Sequence, residues 1–123
     1  MSRTALALTA KEWQAYQPGA RITDEQATER WQRAREVARA AAELLRQQFG
    51  ARRVVGFGSV ANHTGFNRWS DIDLAAWGIP PESFYRAVAA VTGLSAEFEI
   101  DLVAPEDCPP SLRQVIEREG IDL

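Results

Sequence analysis

Two aspartates separated by one residue are the first candidates for chemistry in this sequence. Asp71 and Asp73 flank Ile72 in a stretch that predicts a strand, and residues two apart on a strand point to the same face. Adjacent carboxylates repel each other unless a cation lies between them. Mg²⁺ completed by phosphate oxygens would meet that need. Asp-x-Asp alone is nevertheless more typical of a solvated sheet face or a turn.

A third aspartate and a Gly-Ser pair extend this candidate site. If the predicted strand of Asp101 neighbours that of Asp71, three carboxylates converge and could hold two metal ions for an in-line displacement. Asp101 could then accept a proton from the attacking hydroxyl. Gly58 and Ser59 follow a short apolar run. There a glycine lets the backbone approach a phosphate, and the hydroxyl donates a further hydrogen bond.

In combination these residues resemble the signature of the DNA polymerase β-like nucleotidyltransferases, and more narrowly that of their minimal, single-domain members. Three segments carry the resemblance: Phe57-Gly58-Ser59, then Ser70-Asp71-Ile72-Asp73-Leu74 after a spacer, and Glu99-Ile100-Asp101-Leu102-Val103. The tail over 112–123, with Glu119-Gly120-Ile121, is also similar to the end of these small proteins, so the resemblance covers about residues 52–123. Each motif is short, so the resemblance depends on their combination and order.

The resemblance implies that a nucleoside monophosphate, AMP from ATP in particular, passes to a hydroxyl with release of pyrophosphate. Asp71 and Asp73 would bind two Mg²⁺ ions, or Mn²⁺. Asp101 would bind one of these ions and act as the base or orient the acceptor. Gly58 and Ser59 would hold the β- and γ-phosphates. Catalysis would consist mostly of positioning and charge neutralisation.

The sequence departs from the family in the segment after the Gly-Ser pair, where the spacer is also one residue too long. Many relatives carry Arg-Gly there, whereas this chain has Asn62-His63. Arg68 is the candidate for the missing positive charge on the triphosphate. This departure motivates an alternative function: a nucleotidyltransferase-fold binding module, catalytically weak or inactive, that neutralises a partner by forming a complex.

The resemblance also implies a partner. Larger relatives carry extra domains for the acceptor, and we expect no room for one here, so a second protein or a second copy of the chain would supply the acceptor. Minimal members resemble antitoxins that add AMP to a tyrosine of a HEPN-domain toxin. The net charge of −3, from 14 Lys and Arg against 17 Asp and Glu, disfavours nucleic acid as the partner.

Compartment and membrane association follow from simple counts. Cys108 is the single cysteine, so no disulfide forms within the chain, which favours a cytoplasmic location. Because no run of apolar residues is long enough to span a bilayer, we predict no membrane association.

The order of predicted helices and strands indicates an α/β (α+β) fold, in which a small mixed sheet is covered by helices and a long helix lies near the N-terminus. We expect one nucleotidyltransferase domain over residues 1–123, with a helical extension over 1–50 and a catalytic core over 51–123. The predicted helices lie between Thr9 and Gly19 and over 23–49, 82–91 and 111–119, and the predicted strands over 53–57, 71–77, 97–103 and 121–123.

Several residues have plainer interpretations than catalysis. Glu97 and Glu99 alternate with apolar residues and are interpreted as the solvated face of an edge strand. His63 is interpreted as an exposed loop residue. The helix over 23–49 is a candidate docking surface for a partner, although packing against the sheet is the preferred interpretation for most of its length.

Overall fold

A long capped helix opens the part of the chain that the structure describes. This computed structural model describes residues 23–63, 66–67 and 70–123. Helix α1 spans Asp24–Phe49. The hydroxyl of Thr23 accepts the backbone N–H of Gln26, and the side chain of Gln26 accepts the backbone N–H of Thr23. This capping box satisfies two N–H groups that a helix start leaves free. The helix ends at Gly50, as predicted.

One mixed sheet of four strands lies at the centre of the described residues, in the order β3-β2-β1-β4. The strands are β1 (Arg53–Phe57), β2 (Ile72–Trp77), β3 (Ile100–Val103) and β4 (Ile121–Asp122). Strand β1 is antiparallel to β2 and β4, whereas β2 and β3 are parallel. A parallel pair needs a crossover, which α2 (Phe84–Thr92) supplies, and α3 (Pro110–Glu119) leads into β4. The predicted mixed fold with its long helix is confirmed.

The strand that carries Asp101 is shorter than predicted. The prediction covered 97–103, but β3 begins at Ile100. The hydroxyl of Ser95 accepts the backbone N–H groups of Glu97 and Phe98, at 3.1 and 3.2 Å. Such side-chain hydrogen bonds compete with a sheet ladder for the same backbone groups. The residues before Ile100 are therefore held in a turn.

Other predicted boundaries differ by less. Asp71 lies just before β2 instead of inside it. The helix predicted over 82–91 consists of a 3₁₀ turn, Pro81–Ser83, followed by α2. The helix predicted between Thr9 and Gly19 lies outside the described residues. None of the helices within residues 23–63 and 70–123 is long and apolar enough to cross a membrane.

The sheet is covered on both faces. Apolar residues alternate between the two sides: Val54 and Leu74 pack in the larger core cluster, beneath α1 and α2, while Val55 and Ala75 pack in the smaller one beneath α3. The face of α1 in the larger cluster is mostly alanine, made up of Ala34, Ala38, Ala41, Ala42 and Leu45. Small side chains let this helix lie close to the sheet. The proposed boundary at residue 50 stays a prediction.

A close approach at Gly120 fixes how α3 joins β4, and it gives a test of the fold. A Cβ at Gly120 would overlap Cγ1 of Val55 and lie 2.5 Å from the carbonyl oxygen of Ile116. We expect Gly120→Ala to lower the free energy of unfolding by roughly 1–3 kcal/mol, the usual cost of overpacking. Urea unfolding followed by circular dichroism measures this.

Gly93→Ala is the matched control, because a Cβ there would lie 3.7 Å from its nearest contact, the carbonyl oxygen of Ala89. This variant should be neutral or stabilised by up to about 1 kcal/mol, since it removes backbone freedom from the unfolded chain. Equal stability of the two variants would contradict the packing at Gly120.

Candidate active site

The register of β2 against β3 places two of the predicted aspartates next to each other. Asp73 pairs with Asp101, and their neighbours Ile72 and Ile100 pair as well. Ile72 and Ile100 belong to the larger core cluster, so alternation turns Asp73 and Asp101 toward the opposite face of the sheet. Asp71 lies immediately before β2. The strands of Asp73 and Asp101 are therefore adjacent, as expected.

The carboxyl group of Asp73 lies near the negative charges of the other two aspartates. Partial burial raises the pKa of the Asp73 carboxyl above its ordinary value, and the negative charges of Asp101 and then Asp71 raise it further. Asp101 is exposed and Asp71 is half-buried. No described residue donates a hydrogen bond or forms an ion pair with any of these three carboxylates. Among the described residues, these three carboxylates therefore have no cationic partner.

The predicted glycine lies directly against this charge. Gly58 has φ 67°, and a Cβ there would lie 2.8 Å from Oδ2 of Asp73. Both facts favour glycine: the left-handed conformation disfavours side chains, and a Cβ would require the Asp73 carboxylate to shift. Gly58 begins a 3₁₀ turn, Gly58–Ala61, that we call the glycine turn, with Ser59 at its second position. The structure thus brings Gly58 and Ser59 to the aspartates.

Helix α1 holds the glycine turn and the loop after it. The indole N–H of Trp31 donates to the carbonyl oxygen of Val60 at 3.0 Å. The imidazole ring of His63 stacks on Trp31 with a centroid distance of 4.6 Å, and its Nε2 lies 2.8 Å from the hydroxyl of Thr28. His63 is exposed, as interpreted, but it is also docked on the helix. The sequence interpretation missed this contact, although Thr28 and Trp31 lie one helical turn apart.

Glu97 is exposed, as interpreted, but it lies before β3 instead of on it. Its carboxylate forms ion pairs with Arg30 at 3.2 Å and Arg33 at 2.7 Å. The hydrogen bond from Arg33, more than any other influence, holds the pKa of Glu97 below its ordinary value. Glu97 thereby ties the segment before β3 to α1. Two arginines three residues apart on a helix were the available signal, but their partner could not be identified from the sequence.

Arg68 lies outside the described residues. Its expected contact with the phosphates therefore stays a prediction.

The donor set can be tested for its fit to a metal ion. Within the described part of the chain, no three His, Cys, Asp or Glu side chains are grouped closely enough to hold a metal ion by themselves. Mg²⁺ seldom uses such an all-protein cage; it is usually bound by one or two carboxylates together with substrate phosphates. One or two of the carboxylates of Asp71, Asp73 and Asp101 would suit a cation that shares its ligands with a phosphate.

Comparison with known proteins supports this assignment of the fold. Neither the scan against protein-family models nor the search of curated proteins gives a match. Among solved structures, a protein provisionally classed as a minimal nucleotidyltransferase is 32% identical, with a TM-score of 0.59 over 76% of this chain and 95% of that one. A crystal structure of a toxin–antitoxin with AMP-PNP is 21% identical, with a TM-score of 0.57 over 69% of this chain and 70% of that one.

The mixed sheet, with a glycine turn packed against a strand aspartate, defines a nucleotidyltransferase fold. With 32% identity across nearly the whole of a minimal nucleotidyltransferase, the chain belongs to the minimal nucleotidyltransferases. This membership supports a role of the nucleotidyltransferase type. The structure at 21% identity shows the shared fold alone.

The raised pKa of Asp73 predicts how its charge affects stability. A raised pKa in the folded protein means that ionisation opposes folding, so this cost grows as pH rises from the ordinary aspartate pKa of about 3.9 through the raised value. Asp73→Asn removes the charge. We expect it to raise the unfolding midpoint by a few degrees at about pH 7 and to give no gain below about pH 3.5.

Thermal unfolding across this pH range measures the effect, with Asp107→Asn as the control. Asp107 is an exposed carboxylate in a different 3₁₀ turn, and its replacement should leave the midpoint unchanged. A lower midpoint for Asp73→Asn at neutral pH would contradict an uncompensated charge at this position.

Proposed function

We propose that this chain transfers a nucleoside monophosphate, AMP from ATP, to a hydroxyl on a partner protein. The packing of Gly58 against the carboxylate of Asp73, with Asp101 on the adjacent strand, is the observation that carries the proposal. It combines a backbone surface open to a phosphate with the negative charge that attracts a phosphate-bound cation.

Each side chain has a role in the proposed transfer. Gly58 and Ser59 bind the β- and γ-phosphates, since the glycine leaves room and the serine hydroxyl donates a hydrogen bond. Asp101 is exposed on an edge strand, where it can accept the proton of an incoming hydroxyl. The acceptor oxygen bonds to the α-phosphorus, the bond to the bridging oxygen breaks, and pyrophosphate leaves.

The proposed transfer also uses divalent cations. Asp71, Asp73 and Asp101 would hold two Mg²⁺ ions, or Mn²⁺, together with the triphosphate. Such ions neutralise charge that develops on the phosphates. Arg68 would add positive charge on the same triphosphate.

The acceptor is proposed to come from a partner protein. The solved toxin–antitoxin with AMP-PNP, which shares the fold, supports a nucleotide-using antitoxin as the model for this chain. A HEPN-domain toxin is then the proposed partner, and a second copy of the chain is the alternative source of the acceptor. The single cysteine and the net charge of −3 favour a cytoplasmic protein that does not bind nucleic acid.

One observation favours a second candidate function, a binding module that neutralises its partner without catalysis. His63 occupies one of the positions at which many relatives carry Arg-Gly, and its ring is docked on Thr28 and Trp31 of α1. A residue held in this way is not directed at a triphosphate. The chain would then keep the fold and act by occluding the partner.

Nucleotide binding is the first test of the proposed enzyme. We expect ATP with Mg²⁺ to raise the unfolding midpoint, because a ligand bound only by the folded state stabilises it by about 2.7 kcal/mol at a hundred times its Kd. Gly58→Ala should abolish this ligand-induced rise, since its Cβ would occupy the space beside Asp73. Differential scanning calorimetry with and without ATP measures both.

Gly93→Ala is again the control and should keep the full ATP-induced rise. The comparison uses the change on adding ATP, so an altered stability of the unliganded variant does not affect it. An equal rise in Gly58→Ala and the unmutated chain would place nucleotide binding elsewhere.

Partner neutralisation separates the two functions. If the chain acts by transfer, the double variant Asp71→Asn/Asp73→Asn should lose neutralisation of a co-expressed HEPN-domain toxin, and the toxin should lack the added mass of AMP. Growth of the co-expressing cells and mass spectrometry of the toxin measure these effects. Neutralisation by the double variant, without added AMP, would instead support the binding module.

A further inference from the structure

We infer that the first turns of α1 position the candidate active site, with Trp31 as the positioning residue of the glycine turn through its hydrogen bond to Val60. This inference rests on the proposed nucleotide binding by Gly58 and Ser59. The helix was considered above as a docking surface and as a cover for the sheet. Its contacts give it a third role.

The hydrogen bond from Trp31 reaches the residue directly after the proposed phosphate ligands. The carbonyl of Val60 accepts the indole N–H at 3.0 Å, and the Val60 side chain is fully buried. A 3₁₀ turn of four residues has few hydrogen bonds of its own. The bond to Trp31 therefore fixes the direction of the peptide between Val60 and Ala61, within the glycine turn.

The same stretch of helix holds the loop between β1 and β2 at two further points. His63 is fixed by its stacking on Trp31 and by Thr28. Arg30 Nε donates to the carbonyl oxygen of Asn67, with the two atoms 3.4 Å apart. The helix therefore contacts the chain between β1 and β2 at His63 and again at Asn67.

Arg30 extends the support to the strand of Asp101. Its guanidinium lies 4.5 Å from the centre of the Phe98 ring and also pairs with Glu97. The Nε–H of Arg33 is shared between the two carboxylate oxygens of Glu97, and its Nη2 donates a further hydrogen bond to the same carboxylate. Residues 28–33 thus contact two regions that are far apart in sequence: the glycine turn with the loop after it, at Val60, His63 and Asn67, and the segment before β3, at Glu97 and Phe98.

Such support matters because a phosphate ligand acts through geometry. Groups already held in their bound arrangement lose less conformational entropy when the ligand binds. Without the indole hydrogen bond the glycine turn would sample more conformations, and nucleotide binding would have to order it. Loss of one hydrogen bond to a buried carbonyl corresponds to about a tenfold loss of affinity.

Trp31→Phe tests this role, because phenylalanine keeps an aromatic ring for His63 to stack on and removes the N–H donor. Trp77→Phe is the matched control. Trp77 lies at the opposite end of β2 from Asp73, and its ring is covered by the guanidinium of Arg53 at 4.6 Å. Calorimetric titration with ATP and Mg²⁺ gives the Kd, and hydrogen exchange of the unliganded protein reports on the glycine turn.

We expect Trp31→Phe to raise the Kd for ATP about five- to tenfold and to speed amide exchange over 60–63 by a similar factor. Exchange in the β1–β2 ladder should stay as in the unmutated chain, and Trp77→Phe should keep the Kd within about twofold. Unchanged exchange over 60–63, or exchange accelerated equally across the sheet, would overturn the inference.

The two proposals fail in different ways. If the unmutated chain does not bind ATP, the proposed function fails, and local exchange over 60–63 alone decides whether Trp31 positions the glycine turn. If the unmutated chain binds ATP and Trp31→Phe binds it equally well, the positioning role fails and the proposed function stands.

Discussion

The contact between the backbone of Gly58 and the carboxylate of Asp73 is the constraint on which the candidate site depends. An ionised carboxylate that is half-buried and has no cationic partner among the described residues opposes folding. The sheet tolerates this because apolar neighbours on both sides of Asp73 are fully buried. Sites of this kind, where local energetics conflict with an otherwise consistent fold, are typical of function.

Helix α1 connects the core to this site. Its C-terminal two-thirds presents alanines and Leu45 to the larger core cluster. Its first turns instead use polar and aromatic side chains to reach loops, through Trp31, Arg30 and Arg33. Exposed ion pairs contribute little stability, about 0–1 kcal/mol each. Their value here is orientation, because they fix where the loops lie relative to the sheet.

Most of the fold could be predicted from the sequence because its signals are local. The capping box at Thr23, the Gly50 helix end and the apolar run of β1 each depend on neighbouring residues. The pairing of Asp73 with Asp101 also follows once the strands are adjacent. The contacts of Glu97 and His63 could not be predicted, because both depend on where a helix distant in sequence lies, and no local pattern encodes that.

The position of the aspartates in the sheet also bears on how an acceptor would approach. Asp101 is exposed on β3, an edge strand of the sheet, whereas Asp73 lies on a central strand against the glycine turn. The most deeply placed carboxylate therefore faces the proposed phosphate ligands, and the most open one faces solvent. In the proposed transfer of AMP to another protein, this order would let the acceptor hydroxyl enter from the side of Asp101.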